Sequence, residues 1–309
     1  MTPPAAAGAR LSELLARRLE AGERFFGAEA ERIARLCHRM AERFARGGRL
    51  VAFGAAPADR SDARHVAVEF VHPVIVGKRA LPAIGLAGEG GPIARQVDLV
   101  VEADDIVMAF GEDPEDALGR AAGRGALTVG FAPGRGEWSF VVDNDDPFIR
   151  QELIETLYHL LWEHVHVFFE HKGLLEGRTA GAVHDPGASS FLYPFLSEAE
   201  TDLDGVLRDV VASVGMKATE VGALRTQTLT EAGDALAGAA DELRARLDAG
   251  GAVLALGNGG SATDAMDAAA DLRWPPGEWP ARRVLDLTED AAILTAIAND
   301  VGHEWVFAR

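Results

Sequence analysis

Ala252-Val-Leu-Ala-Leu-Gly257-Asn258-Gly259-Gly260-Ser261-Ala262-Thr263-Asp264-Ala265-Met266 decides the reading of this chain. An apolar run of strand length breaks into a glycine turn, and the turn opens directly into an alanine-rich helix. Backbone N–H groups at such a turn, with the positive end of the helix dipole behind them, form a cradle for phosphate. Small residues belong there, because a Cβ would hold the backbone away from an anion.

The same layout stands earlier in altered form. Gly47-Gly-Arg-Leu-Val-Ala-Phe-Gly54 reads like Gly250-Gly-Ala-Val-Leu-Ala-Leu-Gly257, and Ser61-Asp-Ala-Arg-His65 reads like Thr263-Asp-Ala-Met-Asp267. A long internal repeat of this kind means two copies of one domain. The first copy has Ala55-Ala-Pro-Ala-Asp-Arg60 in place of the glycine loop. The second keeps the loop but carries aspartates where the first has His65 and Glu69.

Composition narrows the function classes. A length of 309 residues suits two domains, and a 48% hydrophobic fraction supplies real cores. The net charge of -18 argues against nucleic acid and against an anionic membrane surface. A local cradle can still oppose that field and take a small phosphorylated ligand. The single cysteine, Cys37, forms no intrachain disulfide and fits a reducing cytoplasm. The stretch 1–10 lacks the apolar core of a signal peptide, and no apolar run reaches the length of a membrane span.

Along the chain, residues 11–46 read as a helix ended by Gly47-Gly48. Strand-length apolar segments follow at 49–53, 80–86, 105–110, 126–131 and 138–142, with helices or turns between them. That alternation predicts a parallel sheet with helices on both faces. A helix over 147–171 closes the unit. The Gly- and Pro-rich stretch 176–199 reads as a linker, so the first domain spans 10–175 and the second 200–309. The second offers a helical region to 249, a strand at 252–256, a helix at 262–272, a strand at 283–287 and a final helical segment. Two strands cannot bury both faces of a sheet, so this domain is expected to be incomplete, or completed by another chain.

His65 and Glu69 lie four residues apart and share one face of a predicted helix. Gln151 and His159, eight apart, lie within a right angle of each other on the closing helix. Two imidazoles, a carboxylate and an amide oxygen can hold a divalent metal, and zinc suits them best. The same spacing also fits a surface helix pair with a satisfied core histidine. His164, His166 and His171 read as interface or surface residues. The run Gly257 to Ala262 also fits a dinucleotide fingerprint, with Asp286 as the ribose acid, or a bare helix start capped by Ser261.

The tract Asp62-Ala-Arg-His65-Val-Ala-Val-Glu69 resembles the helix after the glycine loop in phosphoheptose isomerases of the sugar isomerase (SIS) superfamily. Phe148-Ile-Arg-Gln151-Glu-Leu-Ile-Glu-Thr-Leu-Tyr-His159 resembles their closing helix. Ala252–Asp264 resembles the substrate loop, and Ile297-Ala-Asn299-Asp300-Val-Gly302 a segment that frames the sugar. The resemblance implies an α/β, flavodoxin-like three-layer fold in two tandem copies and a small phosphorylated sugar as partner. It implies zinc on His65, Glu69, Gln151 and His159, with Asn258, Gly259, Gly260, Ser261, Asn299 and Asp300 at the substrate. The implied chemistry is aldose–ketose isomerisation of sedoheptulose 7-phosphate through an enediol, with Glu69 as base and His159 as acid or ligand. It also implies a cytoplasmic homo-oligomer. The first copy departs from the pattern: Pro57 removes a backbone donor, and Gly111-Glu-Asp-Pro-Glu-Asp116 stands where the family has a Ser/Thr-rich phosphate loop. The alternative is a catalytically silent sugar-phosphate-binding or scaffold protein. A composite site, with metal from the first copy and loop from the second, reconciles the two halves.

Overall fold

The computed structural model describes residues 4–73, 75, 78–171, 174–175 and 202–308. The expected linker, 176–199, lies outside the described residues. Helix α1 (Pro4–Ala45) ends at Gly47, whose φ of 95° turns the chain into β1 (Leu50–Gly54). Then come α2 (Pro57–Val71), β2 (Ala83–Gly85), α3 (Ile93–Val100), β3 (Ile106–Phe110), α4 (Ala117–Gly123), β4 (Leu127–Gly130), β5 (Trp138–Ser139) and α5 (Pro147–Glu170). The five strands form one parallel sheet in the order β2-β1-β3-β4-β5.

β1, β3 and β4 are buried at every position, as parallel strands covered on both faces must be. Alternation divides their side chains. Leu50, Ala52, Ile106, Met108, Leu127 and Val129 face α1, α2 and α5. Val51, Phe53, Val107 and Ala109 face α3 and α4. The result is three layers. Observed strands are shorter than the apolar runs. The run at 138–142 keeps only two paired residues, at the sheet edge.

Beyond the linker lie α6 (Leu203–Asp248), β6 (Val253–Ala255), α7 (Gly260–Arg273), β7 (Val284–Asp286) and α8 (Ala291–Asp300). The first turns of α6 enter the main core through Val206, Leu207, Val210 and Val214. Glu152 of α5 ties the helices together, since Arg18 of α1 reaches it at 2.7 Å and Arg225 of α6 at 3.4 Å. β6 and β7 pair in parallel across α7 and form a separate sheet. One face of it packs on α7 through Ala255, Val284, Ala265 and Ala269. Leu254 and Leu285 on the other face are 58% and 55% exposed, as expected for two strands alone. The final segment is helical only to Asp300, then turns.

His164, His166 and His171 are buried, which corrects their reading as surface or interface residues. The reason is that α5 is covered by α1 and by the start of α6, so it has no broad solvent face. Cys37 is fully buried, and burial pushes its thiol pKa far up. Among the described residues, no helix is long and apolar enough to cross a membrane.

Candidate functional site

α2 starts one residue after Ala56 and lies against the sheet on one side and α5 and α7 on the others. His65 and Glu69 project from one face of it, one turn apart, and both are buried. His65 Nε2 stands 3.8 Å from Glu69 Oε1. His159 of α5 brings its Nε2 to 4.0 Å from the same oxygen, and the two imidazole centroids are 4.9 Å apart. His159 Nδ1 lies 2.8 Å from the Glu155 carbonyl. A carbonyl only accepts, so Nδ1 carries a proton and donates it, and Nε2 is the ring nitrogen turned toward Glu69.

The glycine loop enters from the second unit. A methyl added at Gly260 would lie 3.2 Å from His65 Nε2 and 3.9 Å from Glu69 Oε1. Gly259 sits at φ 59° and ψ -128°, which favours glycine, and serves as the N-cap of α7. Ser261 is therefore the second residue of the helix rather than its cap. Asn258, Gly259 and Ser261 are exposed at the mouth of this loop, and Gly260 is half-buried. Asp286 accepts from the Thr288 amide and hydroxyl at 2.8 and 2.6 Å, so it holds a turn. Asn299 and Asp300 end α8 exposed, bonded to each other at 2.7 Å.

Gln151 lies on the same stripe of α5 as Glu155 and His159. Its Nε2 donates to Asp267 Oδ1 of α7 at 2.9 Å, which leaves Oε1 as its ligand-capable atom. Sequence reasoning singled out neither Asp267 nor Glu155 for the site. Glu155 Oε1 lies 3.5 Å from His65 Nδ1, and ligand atoms of His65, Glu155 and His159 all fall within 4.8 Å of one another. Glu155 was legible only as the middle of the i, i+4, i+8 stripe from Gln151 to His159.

The site is acidic and partly dry. Burial, then the charge of His159, lowers the His65 pKa to about 4, so this imidazole is neutral at pH 7. Burial raises Asp267 to about 7. Asp62, beneath Tyr158 at 3.4 Å, is raised well above the carboxylate range by burial and by Asp267 and Glu155. Burial also raises Glu155 and Asp264. Clustered carboxylates beside the neutral His65 imidazole are an environment that a divalent cation relieves. His65 Nε2 faces Glu69 and, with His159 and Glu155, gives nitrogen and oxygen donors within reach of one another. The donor set thus fits a divalent metal.

The first unit's own loop is filled from within. Asp59 accepts from the Ala56 amide at 3.1 Å, at the N-terminus of α2. A side chain at Gly111, in the turn after β3, would strike the Asp59 carboxylate. Glu115 and Asp116 in that turn take left-handed φ values of 55° and 56°. Carboxylates occupy the region where a phosphate cradle would stand.

No profile of a known protein family matches the chain. Over 65 residues it is 48% identical to the phosphoheptose isomerase of Akkermansia muciniphila, which is 20% of this chain and 34% of that protein. Over 88 residues it is 43% identical to the phosphoheptose isomerase of Thiobacillus denitrificans, 27% of this chain and 45% of that one. The solved phosphoheptose isomerase of Francisella tularensis aligns at a TM-score of 0.45 and 19% identity, over 51% of this chain and 97% of that chain. The chain is homologous to phosphoheptose isomerases in part, and it spans less than half the length of these curated relatives.

Proposed function

We propose that this protein is a phosphosugar aldose–ketose isomerase of the sedoheptulose 7-phosphate type, with one composite site. The observation that carries the reading is the approach of Gly260 to His65 and Glu69, which puts a glycine loop of one unit over a histidine–carboxylate cluster of another. The tandem reading is supported by order: β6, α7 and β7 repeat β1, α2 and β2, each a parallel pair joined by one helix.

His65, Glu69, Gln151 and His159 would hold zinc, a borderline cation suited to imidazole and carboxylate donors. Bound there, it would polarise the sugar carbonyl and offset charge that builds on oxygen. The protein's own groups do the rest. Glu69, buried between the two imidazoles, takes the proton from one carbon and returns it to its neighbour. His159 Nε2 faces the same space and serves the oxygens or the ion. The loop amides at 258–261, at the N-terminus of α7, orient an anionic group of the substrate, and Asn299 and Asp300 are assigned to the sugar's far side. Gly260 leaves no side chain between loop and cluster. A homo-oligomer would cover Leu254 and Leu285.

A second reading has one observation behind it. Asp59 fills the first unit's loop, so a silent sugar-phosphate-binding or scaffold protein would retain the second loop alone. Incubation with sedoheptulose 7-phosphate and zinc, followed by product chromatography, separates the two. Turnover lost on chelation and in Glu69→Gln supports the isomerase. Ligand binding without turnover supports the silent protein.

A further inference from the structure

We infer that Glu155 is a positioning residue: its carboxylate holds His65 in the tautomer protonated on Nδ1, and so commits His65 Nε2 to the cluster. The inference rests on the reading of His65 as a metal ligand and adds a group that the resemblance did not assign. Glu155 Oε1 lies 3.5 Å from His65 Nδ1, and that nitrogen is buried with no hydrogen-bond partner. Nε2, on the other side of the ring, faces Glu69 Oε1 at 3.8 Å and would lie 3.2 Å from a methyl added at Gly260. The ring therefore has Nδ1 toward Glu155 and Nε2 toward Glu69 and the glycine loop. Both carboxylates only accept, and Glu155 is the nearer, at 3.5 Å against 3.8 Å for Glu69, so it draws the proton to Nδ1. A rotation of the Glu155 side chain that shortens the gap to hydrogen-bonding distance completes the arrangement.

His159 obtains the same result by another route, because its Nδ1 meets the Glu155 carbonyl at 2.8 Å. Residue 155 thus sets both imidazoles, one through its main chain and one through its side chain. Metal-binding histidines commonly donate their second N–H to a carboxylate or carbonyl, and loss of such a partner costs about 10–100-fold in affinity.

The test is long-range 1H–15N NMR on full-length, metal-free protein labelled in the histidine rings, at pH 7, with His65 assigned by its absence in His65→Asn. The expected wild-type signal is the Nδ1–H tautomer. Glu155→Gln offers N–H donors beside its carbonyl, so the Nε2–H form should become populated. Zinc affinity, read by competition with a chromogenic chelator, should fall about 10–100-fold with unchanged circular dichroism. Glu155→Ala should show the same loss. A wild-type Nε2–H tautomer overturns the inference. So does an unaltered tautomer and zinc affinity in both variants, or zinc bound at His65 Nδ1. If the wild type binds no zinc, the function proposed above fails, and the tautomer measurement still decides this inference by itself.

Discussion

The Ser61 hydroxyl donates to the Thr263 carbonyl at 2.8 Å, and the two residues are matching positions of the two repeated tracts, 202 apart. Arg64 and Met266, also 202 apart, meet at 3.5 Å between Nη1 and Sδ. Residues near a two-fold axis meet their own equivalents, so both contacts are what the proposed tandem copies would give if packed about a pseudo-two-fold axis. Such an axis would make two composite sites under the proposed function. One joins His65 and Glu69 to the intact loop at Gly260. The other would join Asp267 and Asp271 to the first unit's loop, which Asp59 fills. Only the first retains imidazole and loop together. Asp267 instead accepts from Gln151 Nε2 at 2.9 Å.

The contact between units gives the first prediction. Gly260→Ala places a methyl 3.2 Å from His65 Nε2, so the imidazole must move by a few tenths of an ångström. Stability should not fall, because replacing glycine where φ is compatible commonly gains about 0.4–1 kcal/mol. Zinc affinity should fall about tenfold, or about 1.4 kcal/mol. Calorimetric titration beside a melting curve checks both. Unchanged zinc binding would show that the loop and the cluster do not share a site.

Glu69→Gln keeps size but removes the base. Isomerisation should drop by about a hundred- to ten-thousand-fold, with the fold intact by circular dichroism. Turnover near the wild-type rate would remove Glu69 from its assigned role.

Metal content supplies the third. Elemental analysis should find about one zinc per chain, and the His65→Ala, His159→Ala double variant should lose it. Zinc at 100 times its Kd should add about 2.7 kcal/mol to wild-type stability and nothing to the variant. Equal stabilisation of both proteins would place the ion elsewhere.

Much of this arrangement was legible before the structure. Ile106–Phe110 and Leu50–Gly54 are unbroken apolar runs with flanking turns, and fully buried parallel strands have that form. Helical spacing puts His65 with Glu69 and Gln151 with His159 on shared faces, and the resemblance, not the spacing, singled them out as ligands. Partners across units were not legible: Gln151 and Asp267 are separated by 116 residues, and no local pattern announces their bond. The burial of His164 and His166 was missed for a related reason, since nothing in α5 itself says that α1 and α6 cover it. Asn299 and Asp300 were proposed from resemblance, and their side chains bond each other at the exposed end of α8.

The last prediction concerns pH, in protein stripped of metal by a chelator. Asp62 is buried, with its folded pKa raised well above the ordinary value, and Asp267 is raised to about 7. Between the unfolded carboxylate pKa and these folded values, the native state holds protons that the unfolded chain has released. Stability from these groups is therefore present at low pH and is lost as pH rises toward 7. His65 acts in the opposite direction. Its folded pKa of about 4 lies below the ordinary imidazole value of 6.5, so its contribution grows as pH rises between them. Comparison of wild type with Asp62→Asn cancels the His65 contribution and isolates the carboxylate. The Asn variant should gain stability relative to wild type from pH 5 to pH 8, and its melting temperature should depend less steeply on pH. Equal melting temperatures for the two proteins at both pH values would mean that Asp62 ionises freely in the folded state, and that the space between α2, α5 and α7 is wetter than its burial indicates.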